Sequence, residues 1–316
     1  METAIRGTRR LVRCGAALTA LFGAPLVLTS GRPVSAGAAS PVVIRAIGVE
    51  NEYASVISQL GGRYVTVSSI LNNPNTDPHT YEVSASVAQE VGRADLIVQN
   101  GVGYDAFINN IETAQPSRAR RVIVAQHVLG LPDSTPNPHL WYSPRTMPAV
   151  ASAITQTLSR LAPTQSAYFQ SRLHSFDHSL GPWLRAIAAA KTRFTGTPVA
   201  TTEPVADYLL TAMGLKNLTP FVFQADIMNG VDPSPQDITL ENGFFTKHEV
   251  KAFCYNQQVV SPLTGSIRQA AQSAHVPIVG VYETMPTPGY DYQTWMLAEV
   301  RAITAALTLG TSTAHL

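Results

Sequence analysis

Cysteine is nearly missing from this 316-residue chain, which has only Cys14 and Cys254. So few thiols exclude a disulfide framework, and stability must come from a hydrophobic core, which a chain of this length can supply. Cys254 lies in the apolar run Lys251-Ala252-Phe253-Cys254-Tyr255 and reads as a buried small hydrophobe rather than a nucleophile. Charge is also sparse, with Asp, Glu, Lys and Arg at 14% of residues. No basic run with interleaved aromatics occurs, which argues against nucleic acid as a partner. Low-complexity tracts and internal repeats are lacking, as are a nucleophile elbow, a His-Glu-x-x-His pair and a phosphate loop.

A long membrane-spanning run is lacking too. The apolar stretch 14–28 is shorter than the ~20 residues that cross a bilayer, and Gly and Pro interrupt it. It follows Arg6, Arg9, Arg10 and Arg13 and leads to Val34-Ser35-Ala36 or Ala36-Gly37-Ala38, the small residues a signal peptidase requires. Residues 1–40 therefore read as an export signal and N-terminal lead, placing the mature chain in the periplasm or on the outer face of the cytoplasmic membrane. Thr8-Arg9-Arg10-Leu11 resembles a twin-arginine motif but lacks its Phe, leaving Sec and Tat both open. Cys14 stands at the very start of the apolar run, next to Arg13, and is badly placed for lipid attachment. Removing residues 1–36 takes five of 22 basic and one of 21 acidic residues, leaving 17 against 20 and a net charge of −3.

What is present is an alternation of short β-branched runs with helical patterns, the sequence form of parallel α/β units. Strands are expected at 42–49, 64–70, 94–99 and 121–125, with helices at 52–60, 84–92 and 104–112 between them. The pattern returns with strands at 198–202, 250–255 and 277–282 and helices at 204–213, 235–248, 263–274 and 292–307. Two α/β lobes follow, 41–145 and 194–316. Residues 146–193 are helical almost throughout and supply a long helix joining the lobes. Interruptions are expected at Pro163 and at Gly181-Pro182, where proline removes a backbone donor and kinks or splits the helix.

Four side chains stand where strands or turns hand over to helices: His79, His139, Glu203 and Glu283. Ligands of open parallel sheets bind beyond the carboxyl ends of the strands, which is where both glutamates emerge. Both histidines follow a proline that stiffens its loop. Two imidazoles and two carboxylates suit a borderline or hard divalent cation held in the cleft between lobes. Glu203 has an alternative reading as a cap for the helix beginning at Pro204. Asp77 and Asp207 are candidate acceptors that orient the ligand histidines, and Tyr81, Trp141 and Tyr208 read as packing around them. His127, His174, His178, His248, His275 and His315 read as ordinary surface or core residues.

Asp77-Pro78-His79-Thr80-Tyr81-Glu82, Asn137-Pro138-His139-Leu140-Trp141, Thr202-Glu203-Pro204-Val205-Ala206-Asp207-Tyr208-Leu209 and Glu283-Thr284-Met285-Pro286, with Tyr292-Gln293-Thr294-Trp295-Met296, resemble the zinc and manganese solute-binding proteins of ABC importers. The resemblance covers nearly the whole mature chain. It implies two parallel-sheet lobes around one metal ion, Mn2+ or Zn2+, delivered to a membrane permease powered by a separate ATPase. On that pattern His79, His139, Glu203 and Glu283 match the first to fourth ligands. Many zinc-selective members carry histidine at the third position and a histidine-rich loop between the first two ligands. Here Glu203 stands at the third and no such loop is present, which resembles the manganese branch. A carboxylate able to bind through both oxygens points the same way. The family commonly has aspartate at the fourth position, and Glu283 is one methylene longer. Soluble carriers of this kind are expected to be monomers.

Three other functions compete. A metal-dependent hydrolase uses similar ligands, but it needs an open coordination position and a general base or acid, and four protein ligands fill the shell. A binder of an iron chelate or haem favours a basic or aromatic cleft. A surface adhesin is neither supported nor excluded by these residues.

Overall fold

The computed structural model describes residues 43–316, in which eight strands form two separate four-stranded sheets. The first holds β1 (Ile44–Glu50), β2 (Val65–Leu71), β3 (Leu96–Gln99) and β4 (Arg121–Val124) in the order β2-β1-β3-β4. The second holds β5 (Pro198–Thr201), β6 (Lys216–Asn217), β7 (Phe253–Asn256) and β8 (Ile278–Val281) in the order β6-β5-β7-β8. Every pairing is parallel, so the two sheets repeat one topology without repeating one sequence.

The strands form where β-branched and aromatic residues can be buried on both faces. β3, β7 and β8 are buried at every position, as strands covered by helices on both sides must be. Along β1, Ile44 and Ala46 join one cluster of buried residues while Ile47 and Val49 join another. That split follows from the two-residue period of a strand. Gly48 lies on the crowded face, where a Cβ would collide with the backbone nitrogen of Ala54. Only glycine lets the Asn51–Gly61 helix fold back so closely over β1.

A central cluster combines residues of both sheets, including Leu96, Val98, Val199 and Val279, with Trp183 and Trp295 from the helices. Two smaller clusters cover the far face of each sheet. The joining segment is the pair of helices Ser166–Ser179 and Gly181–Phe194, split at Leu180 with Pro182 in the first turn of the second helix. Proline is tolerated there because the first helical N–H groups have no partner inside the helix. The second of these helices packs on the Tyr292–Leu309 helix, with the Trp183 and Tyr292 rings 5.8 Å apart edge to face. Among the described residues no helix is long and apolar enough to cross a membrane.

Two readings of the second half need correction. The helix expected from Pro204 begins at Asp207, because residues 203–206 form a turn in which Asp207 N–H bonds the Pro204 carbonyl. The Phe221–Met228 helix and the two-residue strand β6 were not expected. The expected export signal at 1–40 lies outside the described residues.

Candidate metal centre

The order 2-1-3-4 reverses direction between its two inner strands, so each sheet opens a crevice at the carboxyl ends of those strands. Glu203 lies two residues past β5, Asn256 ends β7, and Glu283 lies two residues past β8. The histidines come from loops of the first half, with His79 in the 3-10 turn Pro78–Thr80 and His139 just before the turn Leu140–Tyr142. Each is set by the same local device. Asp77 Oδ1 accepts His79 N–H at 2.8 Å, and Asn137 Oδ1 accepts His139 N–H at 3.0 Å. An Asx-Pro-His sequence folds in this way because Asx oxygens bond the backbone two residues on while proline fixes φ between them.

These turns bring His79, His139 and Glu283 together with ligand atoms within 4.8 Å of one another. Glu283 Oε2 lies 3.1 Å from His79 Nε2 and 3.3 Å from His139 Nε2, and it accepts the Tyr104 hydroxyl at 3.1 Å. The His139 and Glu283 side chains are fully buried, while His79 keeps 24% exposure and forms the open side. Glu203 is buried but falls outside this triplet. Its Oε1 accepts Asn256 Nδ2 at 3.1 Å, and the same nitrogen donates to Glu283 Oε1 at 2.7 Å. Glu203 Oε2 is buried with no hydrogen-bond partner among the described residues. The capping reading of Glu203 fails, since the helix it was to cap starts four residues later, at Asp207.

The protonation states follow from these contacts. Asn137 Oδ1 accepts both the His139 backbone N–H and, at 2.8 Å, the ring Nδ1. The proton therefore sits on Nδ1, and the Nε2 lone pair faces Glu283. Burial pushes the His139 pKa down and keeps the ring neutral. Burial also lowers His79, but its hydrogen bond and charge contact with Glu283 outweigh that and raise it above 6.5. Burial raises Glu283, yet the contacts of its Oε2 with the His139 and His79 rings hold it well below the usual carboxylate range. Glu203 moves the other way, raised first by burial and then by the charge of Glu283. Two imidazoles and an ionised oxygen thus converge at a mostly buried place, an arrangement that suits a divalent cation.

Neutral amides brace the site across the two halves. Asn137 Nδ2 donates to the Pro204 carbonyl at 2.7 Å. Gln258 Oε1 accepts the Glu283 and Thr284 N–H groups at 2.6 and 2.8 Å, while its Nε2 donates to the Thr76 carbonyl at 2.8 Å. Asn51 and Met285 exchange bonds of 2.9 and 3.0 Å. The aspartates expected to orient the histidine rings do other work. Asp77 caps its turn through backbone N–H, and Asp207 accepts Asn217 and Gln224 at 3.0 Å each. Tyr208 and Trp141 do pack here, Tyr208 through a 2.9 Å bond to the Asn137 carbonyl and Trp141 with its ring 5.4 Å from His139. Tyr81 packs on Phe107 instead. Cys254 is buried, and burial drives its thiol pKa far up, so it is no nucleophile. Asn137, Tyr104, Asn256 and Gln258 were missed from sequence. The shared Asx-Pro-His spacing was the available signal for Asn137.

Loops and strand ends from both halves of the chain bring ligand-type side chains to one place. The chain belongs to the family described as zinc-uptake complex component A, periplasmic, whose model matches residues 50–306. Members of this family are solute-binding components of metal uptake systems, not enzymes. A candidate metal-binding protein of Thermotoga maritima is 23% identical over 220 residues, covering 69% of this chain and 77% of that protein. The zinc-binding protein TroA of Treponema pallidum is 25% identical over 178 residues, 54% of this chain. The manganese-binding lipoprotein MntA of Bacillus subtilis is 22% identical over 169 residues, 52% of this chain. The matched stretch spans 55% of each of these last two relatives. The solute-binding protein FpvC of Pseudomonas aeruginosa, solved with Mn2+, superimposes with a TM-score of 0.69 at 20% identity, covering 84% of this chain and 98% of that one. This last likeness bears on the fold.

Proposed function

We propose that the protein is exported, captures one Mn2+ or Zn2+ outside the cytoplasm and delivers it to a membrane permease driven by a separate ATPase. His79, His139 and Glu283 form the core of the ligand set, and Glu203 completes it through its free Oε2. The protein acts as a monomer, with the signal in residues 1–40 removed. The observation that carries this reading is the convergence of His79, His139 and Glu283 from distant parts of the chain within 4.8 Å. Charged and lone-pair groups are drawn together this closely in a buried place when a cation pays for it.

The test is a titration of the metal-free mature chain with Mn2+ and Zn2+ separately, read by calorimetry and by the fluorescence of Trp141 beside His139. One ion per chain is expected, lost on replacing His79 or His139. At free metal a thousandfold above Kd, the ion adds about 4 kcal/mol of stability. No stoichiometric binding of either ion would defeat the proposal.

A further inference from the structure

Asn256 sits in the middle of the donor set, 1% exposed. Its orientation is fixed, because Oδ1 accepts the Gln258 backbone N–H at 3.0 Å and so Nδ2 is the end facing the acids. Its own backbone N–H is held by Thr202 Oγ1 at 3.0 Å. Both Nδ2 hydrogens are committed, one to Glu203 Oε1 at 3.1 Å and one to Glu283 Oε1 at 2.7 Å.

We infer that Asn256 is a specificity-determining residue: by occupying Oε1 of both glutamates, it leaves each only Oε2 to offer an ion. The oxygens left over are those the geometry leaves for the ion. Glu283 Oε2 faces both imidazoles and also accepts the Tyr104 hydroxyl, and Glu203 Oε2 has no partner among the described residues. The site is then limited to two ring nitrogens and two single carboxylate oxygens. Four such donors match zinc, whereas manganese favours the higher oxygen count that two chelating carboxylates supply. This inference rests on the cation-site reading above. It runs against the preference for manganese that Glu203 alone suggests, because the Asn256 bonds compete with an ion for the second oxygen of each carboxylate.

The test compares the mature protein with Asn256→Ala. Zinc and manganese affinities are measured for both, and crystal structures of the metal-loaded wild type show how many oxygens each glutamate gives. One oxygen from each glutamate is expected in the wild type. The zinc-to-manganese affinity ratio is expected to fall by about tenfold in the variant, the scale of a hydrogen bond to a charged group. The wild-type count is independent of whether the variant folds. Chelation by both glutamates in the wild type would overturn the inference, as would an unchanged affinity ratio in a variant that binds one ion per chain. Failure of the wild type to bind either ion would overturn the cation-site reading itself, a distinct result.

Discussion

Replacing Asn137 separates what fixes His139 from what ties the two halves together. Asn137→Ala removes two bonds to His139, at 3.0 and 2.8 Å, and the 2.7 Å bond to the Pro204 carbonyl. Each of the three bonds contributes about 1 kcal/mol net, so the loss is about 3 kcal/mol before any cost of stranding the buried partners is added. With a urea slope of about 3 kcal/mol/M, the unfolding midpoint drops by about 1 M. The ring also loses the acceptor that keeps its proton on Nδ1, so metal affinity falls by about 10–100-fold, as for other partners of metal-ligating histidine. Asn137→Asp keeps the acceptor for His139 but loses the donor to Pro204. Its affinity is therefore expected to stay close to wild type while its stability falls. Urea denaturation and metal titration of both variants decide the matter. The reasoning is wrong if Asn137→Ala folds and binds metal as the wild type does, or if Asn137→Asp loses as much affinity as Asn137→Ala.

Metal affinity should fall as the pH drops, because His79, held above 6.5, and Glu203, raised by burial, must both give up protons to bind. The fall should begin above pH 6.5 and approach about tenfold per pH unit for each proton released, so an unchanged acid dependence in His79→Ala would remove His79 from the ligand set. Glu241 and Glu299 are raised by burial from 4.5 to about 8, so both are neutral in the folded protein and ionised when unfolded near pH 7. Stability should thus decline from pH 4.5 to pH 8. Glu299→Gln should flatten that slope and add up to about 3 kcal/mol at pH 7, and equal urea midpoints for variant and wild type at pH 5 and pH 8 would contradict this. Trp183→Ala, at a fully buried ring packed on Tyr292, should cost about 3–5 kcal/mol in urea denaturation yet leave one metal ion bound per chain.

The strands were legible because a strand buried on both faces needs an unbroken apolar run, as in Leu96-Ile97-Val98 and Ile278-Val279-Gly280-Val281. The split at Pro182 was legible for an equally local reason, a missing donor. The Phe221–Met228 helix was not, since apolar residues lie on all its sides and Val222 is 55% exposed, which erases the 3.6-residue period. The histidines and glutamates stood out as ionisable groups after prolines and strands. Their amide supports did not, because Asn and Gln are common in loops and their partners are remote. Asn256 reaches a residue 27 positions away, and Gln258 reaches one 182 away.

Three of the braces between the halves are carboxamides: Asn51 to Met285, Asn137 to Pro204 and Gln258 to Thr76. An amide neither titrates nor gathers counterions, so ionic strength and acid barely touch these links. The imidazoles and carboxylates they surround respond to both. On the proposed function, acid acts on the ligands of the ion before it acts on these links between the halves.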